Sequence, residues 1–208
     1  VRPPRLLLIL ALATAPLASV SASAPAVATE QVAPVTAADR SIGRADAPVT
    51  VIEYASFACH LCADWHQLVY PTFKTRFIDT GRVRYVFRNL PTPPEEMSLP
   101  AAALARCAAP GKFFDVAASL MHGQAAVLRG GDRDDWYAPA IAVSGRTRAQ
   151  IDACAATPAT RAAINRDIDS AIAADIDSTP SFFVNGRRVT DRSLGGLEVA
   201  IRAAASGR

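Results

Sequence analysis

With four cysteines, three histidines and two methionines in 208 residues, the chain is poor in metal-binding side chains. The three histidines are His60, His66 and His122. They add no second C-x-x-C and no ligand pair at the spacing of a tetrahedral zinc site. Neither sign of charge dominates: 22 Lys and Arg stand against 19 Asp and Glu. This balance argues against nucleic acid as the main partner, which needs a concentrated basic surface. Long apolar runs are also lacking. The best, Leu6 to Leu17, falls short of the ~20 residues that cross a bilayer. There is no internal repeat, and low complexity is confined to an Ala-, Ser- and Pro-rich stretch from about Ser21 to Ala38.

What the N-terminus does contain is a secretory pattern. Arg2 and Arg5 precede the apolar run, which Pro16 interrupts, and Ala26-Val27-Ala28 fits an A-x-A cleavage site, with Val20-Ser21-Ala22 as an earlier choice. Residues 1–28 are therefore predicted as a signal segment and 29–45 as a linker; the competing reading is an N-terminal membrane anchor. Without Arg2 and Arg5 the basic count falls to 20 against 19 acidic residues. The remaining chain suits one domain, or one domain with a large insertion. In an exported protein, cysteines are expected to be oxidised or redox-active.

Two of them, Cys59 and Cys62, follow the nearly continuous β-branched run Val49-Thr50-Val51-Ile52-Glu53-Tyr54, the pattern of a strand covered on both faces. Beyond Ser56 the period becomes helical, through Leu61, Trp65, Leu68, Val69 and Phe73, with a kink expected at Pro71. Cys59 then sits where a strand hands over to a helix N-terminus, whose unpaired N–H groups and dipole favour a thiolate. In C-x-x-C motifs so placed the thiol pKa falls to anywhere between roughly 3.5 and 7.5. Cys59 reads as nucleophile and leaving group, and Cys62, one turn further in, as the resolving thiol. Zinc binding, Cu(I) carriage by the two thiolates and a purely structural bond are the competing readings.

Downstream, Ser178-Thr179-Pro180-Ser181-Phe182-Phe183-Val184-Asn185-Gly186 combines a proline with a strand and an Asn-Gly hairpin turn leading into Arg187-Arg188-Val189. A last helix runs from about Ser193 to Ala204. With Ala47-Pro48-Val49, Glu53-Tyr54-Ala55-Ser56 and the C-x-x-C pair, the chain resembles the DsbA-like family of exported thiol-disulfide oxidoreductases from about Ile42 to Ala204. The resemblance implies a thioredoxin-like α/β fold with an inserted all-helical domain. It also implies that Pro180 is the cis-proline against the cysteines and that Thr179 pairs its backbone with a substrate strand. Glu53, six residues before Cys59, falls where the family carries a buried acid, the proton acceptor for Cys62; the alternative is an acid at a solvated strand edge. The chain departs from the family's Cys-Pro-His-Cys by placing His60 beside the nucleophile, as a cation that could assist the thiolate, and Leu61 where histidine is expected. His66 reads as a half-exposed surface residue, and Trp65 as core or rim.

Between the strand Val83 to Arg88 and Thr179 lie about 90 residues, too many for one crossover helix. The divisions expected are 46–90 for the first part of the thioredoxin-like domain, 91–174 for the helical insertion and 175–208 for the second part. The insertion reads as helices over Leu99–Ala108, Lys112–His122, Asp134–Val143 and Thr147–Ala155, then one capped by Thr157 with Pro158 first. Ile164, Ile168, Ile172 and Ile176 are predicted to mark the buried side of that last helix. Cys107 and Cys154, set among alanines, suggest a structural disulfide of a kind some DsbA-like proteins carry, the alternative being two buried thiols.

The function expected is disulfide exchange with cysteine-containing substrate proteins, as a periplasmic dithiol oxidase without cofactor or metal. The protein would be monomeric and reoxidised by a membrane redox partner. A reductase or isomerase on the same fold, or a copper carrier, are the alternatives.

Overall fold

The run from Val49 becomes strand β2 (Val49–Ala55), and every side chain in it but Thr50 is buried. Its position in the sheet explains the burial. β2 pairs in parallel with β3 (Val83–Asn89) on one side and antiparallel with β4 (Ser181–Val184) on the other. The strand order is β1-β3-β2-β4-β5, with β1 at Arg40–Ile42 and β5 at Arg187–Val189 on the edges. This computed structural model describes residues 32–207 together with Val1, so the predicted signal segment otherwise lies outside the described residues.

The stretch read as a linker is partly built into the sheet. β1 pairs antiparallel with β3 from Arg40↔Phe87 to Ile42↔Tyr85. Val32 is buried in a cluster with Ile52, Tyr54 and Phe183, and Asp39 accepts from Arg88 Nε at 2.8 Å in a buried ion pair. Three residues reading Arg-Ser-Ile carry no alternation of their own; the open edge of β3 makes them a strand.

At the other edge Asn185 and Gly186 have φ of 45° and 81°, the positive pair a type I′ hairpin requires. Asn185 also ties the turn to β2, its Oδ1 accepting from Thr50 N at 2.8 Å and its own N donating to Thr50 O at 2.9 Å. Helix α1 (His60–Leu68) follows β2. It gives way at Pro71 to a short α2 (Tyr70–Phe73) and one π-helical turn, Lys74–Ile78, so the expected kink is a full break.

Five helices stand between β3 and β4: α3 (Glu95–Arg106), α4 (Phe113–Leu128), α5 (Arg133–Val143), α6 (Arg148–Ala155) and α7 (Pro158–Ala173). A final helix, α8 (Leu194–Ala205), is capped by Ser193. This is the thioredoxin-like fold with a helical insertion. Leu104, Val116, Leu120, Met121, Trp136 and Ile151 of the insertion share one core with Phe57, Cys62 and Ala63 at the start of α1.

Along α7 the isoleucine row behaves as expected only at first. Ile164 is buried and Ile168 half-buried, but Ile172 is 67% exposed, and Ile176 lies beyond the helix end, buried against Phe183 and Tyr54. Each four-residue step overshoots a turn by about 40°, so a row that begins at the core walks off it within two steps.

Cys107, at the C-cap of α3, and Cys154 in α6 are joined by a disulfide with Cα atoms 5.8 Å apart. Thr160 Oγ1 lies 3.5 and 3.6 Å from the two sulfurs. The bond closes a separation of 47 residues, which in the chain-entropy estimate stabilises the fold by about 4 kcal/mol. A Cys107→Ala/Cys154→Ala variant is expected to lose stability of that order in denaturant unfolding with Cys59 and Cys62 kept reduced. A loss below ~1 kcal/mol would place the bond outside the stability of the fold.

Candidate redox site

The turn that presents Cys59 is held from three directions. Ser56 Oγ accepts from Ala58 N and Thr92 N, both at 3.1 Å, while Ser56 O accepts from Cys59 N at 3.2 Å. From the insertion, the buried Gln124 on α4 donates through Nε2 to Phe57 O at 2.6 Å and Cys59 O at 3.0 Å. Cys59 is the N-cap of α1, with φ −86° and ψ 116°, and its carbonyl accepts from Cys62 N and Ala63 N at 3.1 and 3.2 Å. The nucleophile's own peptide therefore opens the helix, and the N–H groups of Leu61 and Cys62 in the first turn act on its sulfur.

Burial separates the two thiols. Cys59 is half-buried, whereas Cys62 is fully enclosed. Both are free thiols. Cys59 is lowered from 9.0 to about 6, first by the Cys62 thiol donating to its sulfur, then by the Thr179 side chain and the N–H groups of Cys62 and Leu61, all against desolvation. Cys62 is pushed the other way by burial first, then by its hydrogen bond to Cys59 and the negative charges of Glu53 and Cys59. One sulfur is thus primed to carry charge and the other to hold a proton.

The Thr179–Pro180 peptide is cis and lies against the site. Cys59 Sγ is 3.3 Å from Thr179 O, which accepts from the protonated thiol. That contact favours the thiol and opposes the groups that favour the thiolate. His60 is exposed at the first position of α1, and none of the leading influences on Cys59 comes from it. Trp65 is core, 5% exposed, and donates from Nε1 to Arg192 O at 3.0 Å.

Glu53 has no exposed surface, so the solvated-edge alternative does not hold. Its Oε2 accepts from Tyr85 Oη–H and lies 2.9 Å from His66 Nε2, while Oε1 is buried with no hydrogen-bond partner among the described residues. His66 is therefore not the half-exposed surface residue expected. It keeps 8% exposure, because α1 is covered by the sheet on one side and α4 on another. The usable signal was spacing: His66 follows Cys62 by four residues and so shares its helix face. Tyr85 and Gln124 carried no comparable local signal. Tyr85 meets Glu53 as the diagonal neighbour in the register Val51↔Tyr85, Glu53↔Phe87. Among the described residues no group of three or more His, Cys, Asp or Glu is arranged to hold a metal ion.

Known proteins resemble the chain in the parts just described. In solved structures the fold recurs in oxidised BdbD from Bacillus subtilis, with TM-score 0.75 and 20% identity over 86% of this chain and 99% of that one. Among curated proteins, "Na(+)/H(+) antiporter NhaA 3" of Salinispora tropica is 33% identical over 159 residues, which are 72% of this chain and 22% of that protein. "Probable disulfide bond formation protein D" of Bacillus cereus is 41% identical over 64 residues, 31% of this chain and 30% of that one. The chain thus matches less than a third of the length of either curated relative. The family model described as thioredoxin matches residues 36–203. That span takes in the five strands, the helix that opens with the cysteine pair and the helices inserted between β3 and β4, and the chain belongs to the thioredoxin family.

Proposed function

We propose that the protein is an exported thiol-disulfide oxidoreductase that works as a dithiol oxidase on cysteine-containing substrate proteins. The observation that carries this reading is the asymmetry of the pair: a reachable Cys59 lowered to about 6 over a buried Cys62 held protonated. A thiolate stabilised in the reduced state makes the corresponding disulfide a stronger oxidant. In the forward reaction a substrate thiolate attacks Cys59 Sγ of the Cys59–Cys62 disulfide. The electron pair of the broken bond leaves on Cys62, which takes up a proton. A second substrate thiolate then attacks the substrate sulfur of the mixed disulfide and expels the Cys59 thiolate. Two electrons pass from substrate to protein, and the substrate gains one disulfide.

Glu53 is the acid that exchanges the Cys62 proton in this scheme, and the backbone at Thr179 and Pro180 receives the substrate strand. His60, exposed beside Cys59, faces the bound partner rather than setting the thiol. Export, supported by the secretory pattern of the N-terminus, belongs to the same reading, as do a monomeric state and reoxidation by a membrane partner. The relative named as an antiporter matches over 22% of its length, and among the described residues no helix is long and apolar enough to cross a membrane.

The test mixes the oxidised protein with a reduced, unfolded disulfide protein in the absence of other oxidants. One substrate disulfide is expected per protein molecule reduced, and in exported fractions acid-trapped Cys59 and Cys62 should be mainly oxidised. A protein found reduced in that fraction, and able only to cleave disulfides, would make it a reductase or isomerase. Stoichiometric metal retained on the reduced protein would instead support a carrier.

A further inference from the structure

Proton exchange at Cys62 needs a route, because neither Cys62 nor Glu53 has any exposed surface. When the reduced pair is reoxidised by the disulfide of a partner protein, Cys62 must lose its proton before its sulfur can attack. Its electron pair forms the bond to Cys59 Sγ in the mixed disulfide, and the partner sulfur leaves with the electrons of the bond that breaks. The buried acid whose negative charge acts on Cys62 is Glu53, and its Oε1 has no hydrogen-bond partner among the described residues. From Glu53 a second transfer is required to reach water.

We propose that His66 is the solvent-side member of this route, a positioning and proton-exchanging residue that acts on Cys62 only through Glu53. This rests on the oxidoreductase reading. Cys62 and His66 are four residues apart on α1 and share the face turned to Glu53. Glu53 is polarised by its two neighbours: Oε2 takes both the Tyr85 and His66 contacts, leaving Oε1 for the thiol. With the ring in the tautomer that leaves Nε2 unprotonated, a proton received at Oε1 reaches that nitrogen, 2.9 Å from Oε2, once the carboxyl group turns about its last bond, and the other ring nitrogen releases one. The ring ends as its other tautomer and resets by exchange with water.

The alternatives around His66 do not offer that outlet. It faces Cys62 on its own helix, Glu53 on β2, Tyr85 on β3 and Tyr70 on α2, the last with its ring centroid 5.1 Å away. Burial first, then the charge of Glu53, holds the phenols of Tyr85 and Tyr70 well above their usual range, so both stay protonated. Asp79 and Asp115 act on the group from further out, through Tyr70. Of Cys62, Glu53, Tyr85 and His66, only His66, at 8%, retains contact with the surface.

The experiment compares wild type with His66→Gln, which can still hydrogen-bond Glu53 but cannot relay a proton, and with His66→Phe, which can do neither. Reaction with oxidised glutathione has two separable phases: formation of the Cys59 mixed disulfide, also measured alone in a Cys62→Ala background, and its resolution by Cys62. In both variants resolution is expected to slow about 10- to 100-fold, less than the full effect of a direct general base. It should also acquire a changed pH profile and a larger solvent deuterium isotope effect, with the first phase unaltered. Wild-type resolution rate and pH profile in His66→Gln would overturn the relay and leave His66 as a hydrogen-bond donor. Equal slowing of both phases would overturn it too, as a general disturbance of the site. Absence of any mixed disulfide in the Cys62→Ala background would instead be a failure of the oxidoreductase reading.

Discussion

Dithiol oxidation is expected to drop to the uncatalysed background in Cys59→Ser, whereas the reduced Cys62→Ser protein should still attack disulfide-containing substrates and become trapped with them as long-lived mixed disulfides. The difference follows from burial. Cys59 is the sulfur a macromolecular thiolate can reach, and Cys62, with no exposed surface, meets only Cys59. Removing Cys59 leaves no reachable sulfur; removing Cys62 still lets the Cys59 thiolate attack a substrate disulfide, forming a mixed disulfide as the second substrate sulfur leaves as thiolate, and abolishes the intramolecular escape from it. Oxidation of a reduced substrate protein reads the first loss, and non-reducing electrophoresis of each reduced variant after incubation with a disulfide-containing substrate protein reads the trapped adduct. Equal loss without trapped adducts in Cys62→Ser would contradict the assignment of roles.

The second large effect is a pH window in which the reduced protein is the more stable redox form. Cys59 is lowered from 9.0 to about 6 in the folded state. A group whose folded pKa is depressed contributes stability that is fully present above its unfolded value and lost as pH falls through the folded one. At neutral pH, one unit above the folded value, this amounts to about 1.4 kcal/mol, or about 30 mV toward the oxidising side for a two-electron couple. The half-buried position screens part of the further gain expected at higher pH. Cys62, raised by burial, has the opposite sign: the unfolded chain ionises there and the folded one does not, so stability falls again above about 8.5. Unfolding of the reduced and oxidised forms compared across pH should give a difference that rises from about 6, peaks below about 9 and then declines. Thiolate absorbance of reduced Cys62→Ala protein isolates the Cys59 titration. A value near 8 there would remove the basis for an oxidase and favour the reductase or isomerase.

Features decided within a few residues are legible in the sequence itself. The C-x-x-C turn, the Asn185-Gly186 hairpin and the caps at Thr147, Thr157 and Ser193 depend on local backbone chemistry, and each lies where its pattern places it. Where a distant partner decides, the pattern misleads. β1 exists because β3 has an open edge. Helix α4 continues past His122 through Gly123, where a Cβ would come within 2.8 Å of Trp136 Cδ1; the glycine that weakens the helical pattern is the one that lets α5 approach. His66 reads as surface because one helix viewed alone gives no hint of being enclosed on two sides. The same holds for Tyr85 and Gln124, whose contacts span 32 and more than 60 residues.

Gln124 joins two parts of the molecule that sequence alone would treat as separate bodies. Its carboxamide carries two donors, and both of its contacts are carbonyls in the four-residue turn from Ser56 to Cys59. Were the helical lobe to swing away, the Phe57 carbonyl would lose its donor at a cost of about 1–3 kcal/mol, while the Cys59 carbonyl would keep only its bonds within α1. Local fluctuations that expose the turn are therefore coupled to fluctuations that detach α4. The amides of the α1 start and of mid-α4 should exchange with solvent deuterium as one cooperative unit, at a common opening free energy. The lobe then serves as a clamp on the reactive turn: it limits how far the Cys59 sulfur can wander from the N–H groups that hold its charge.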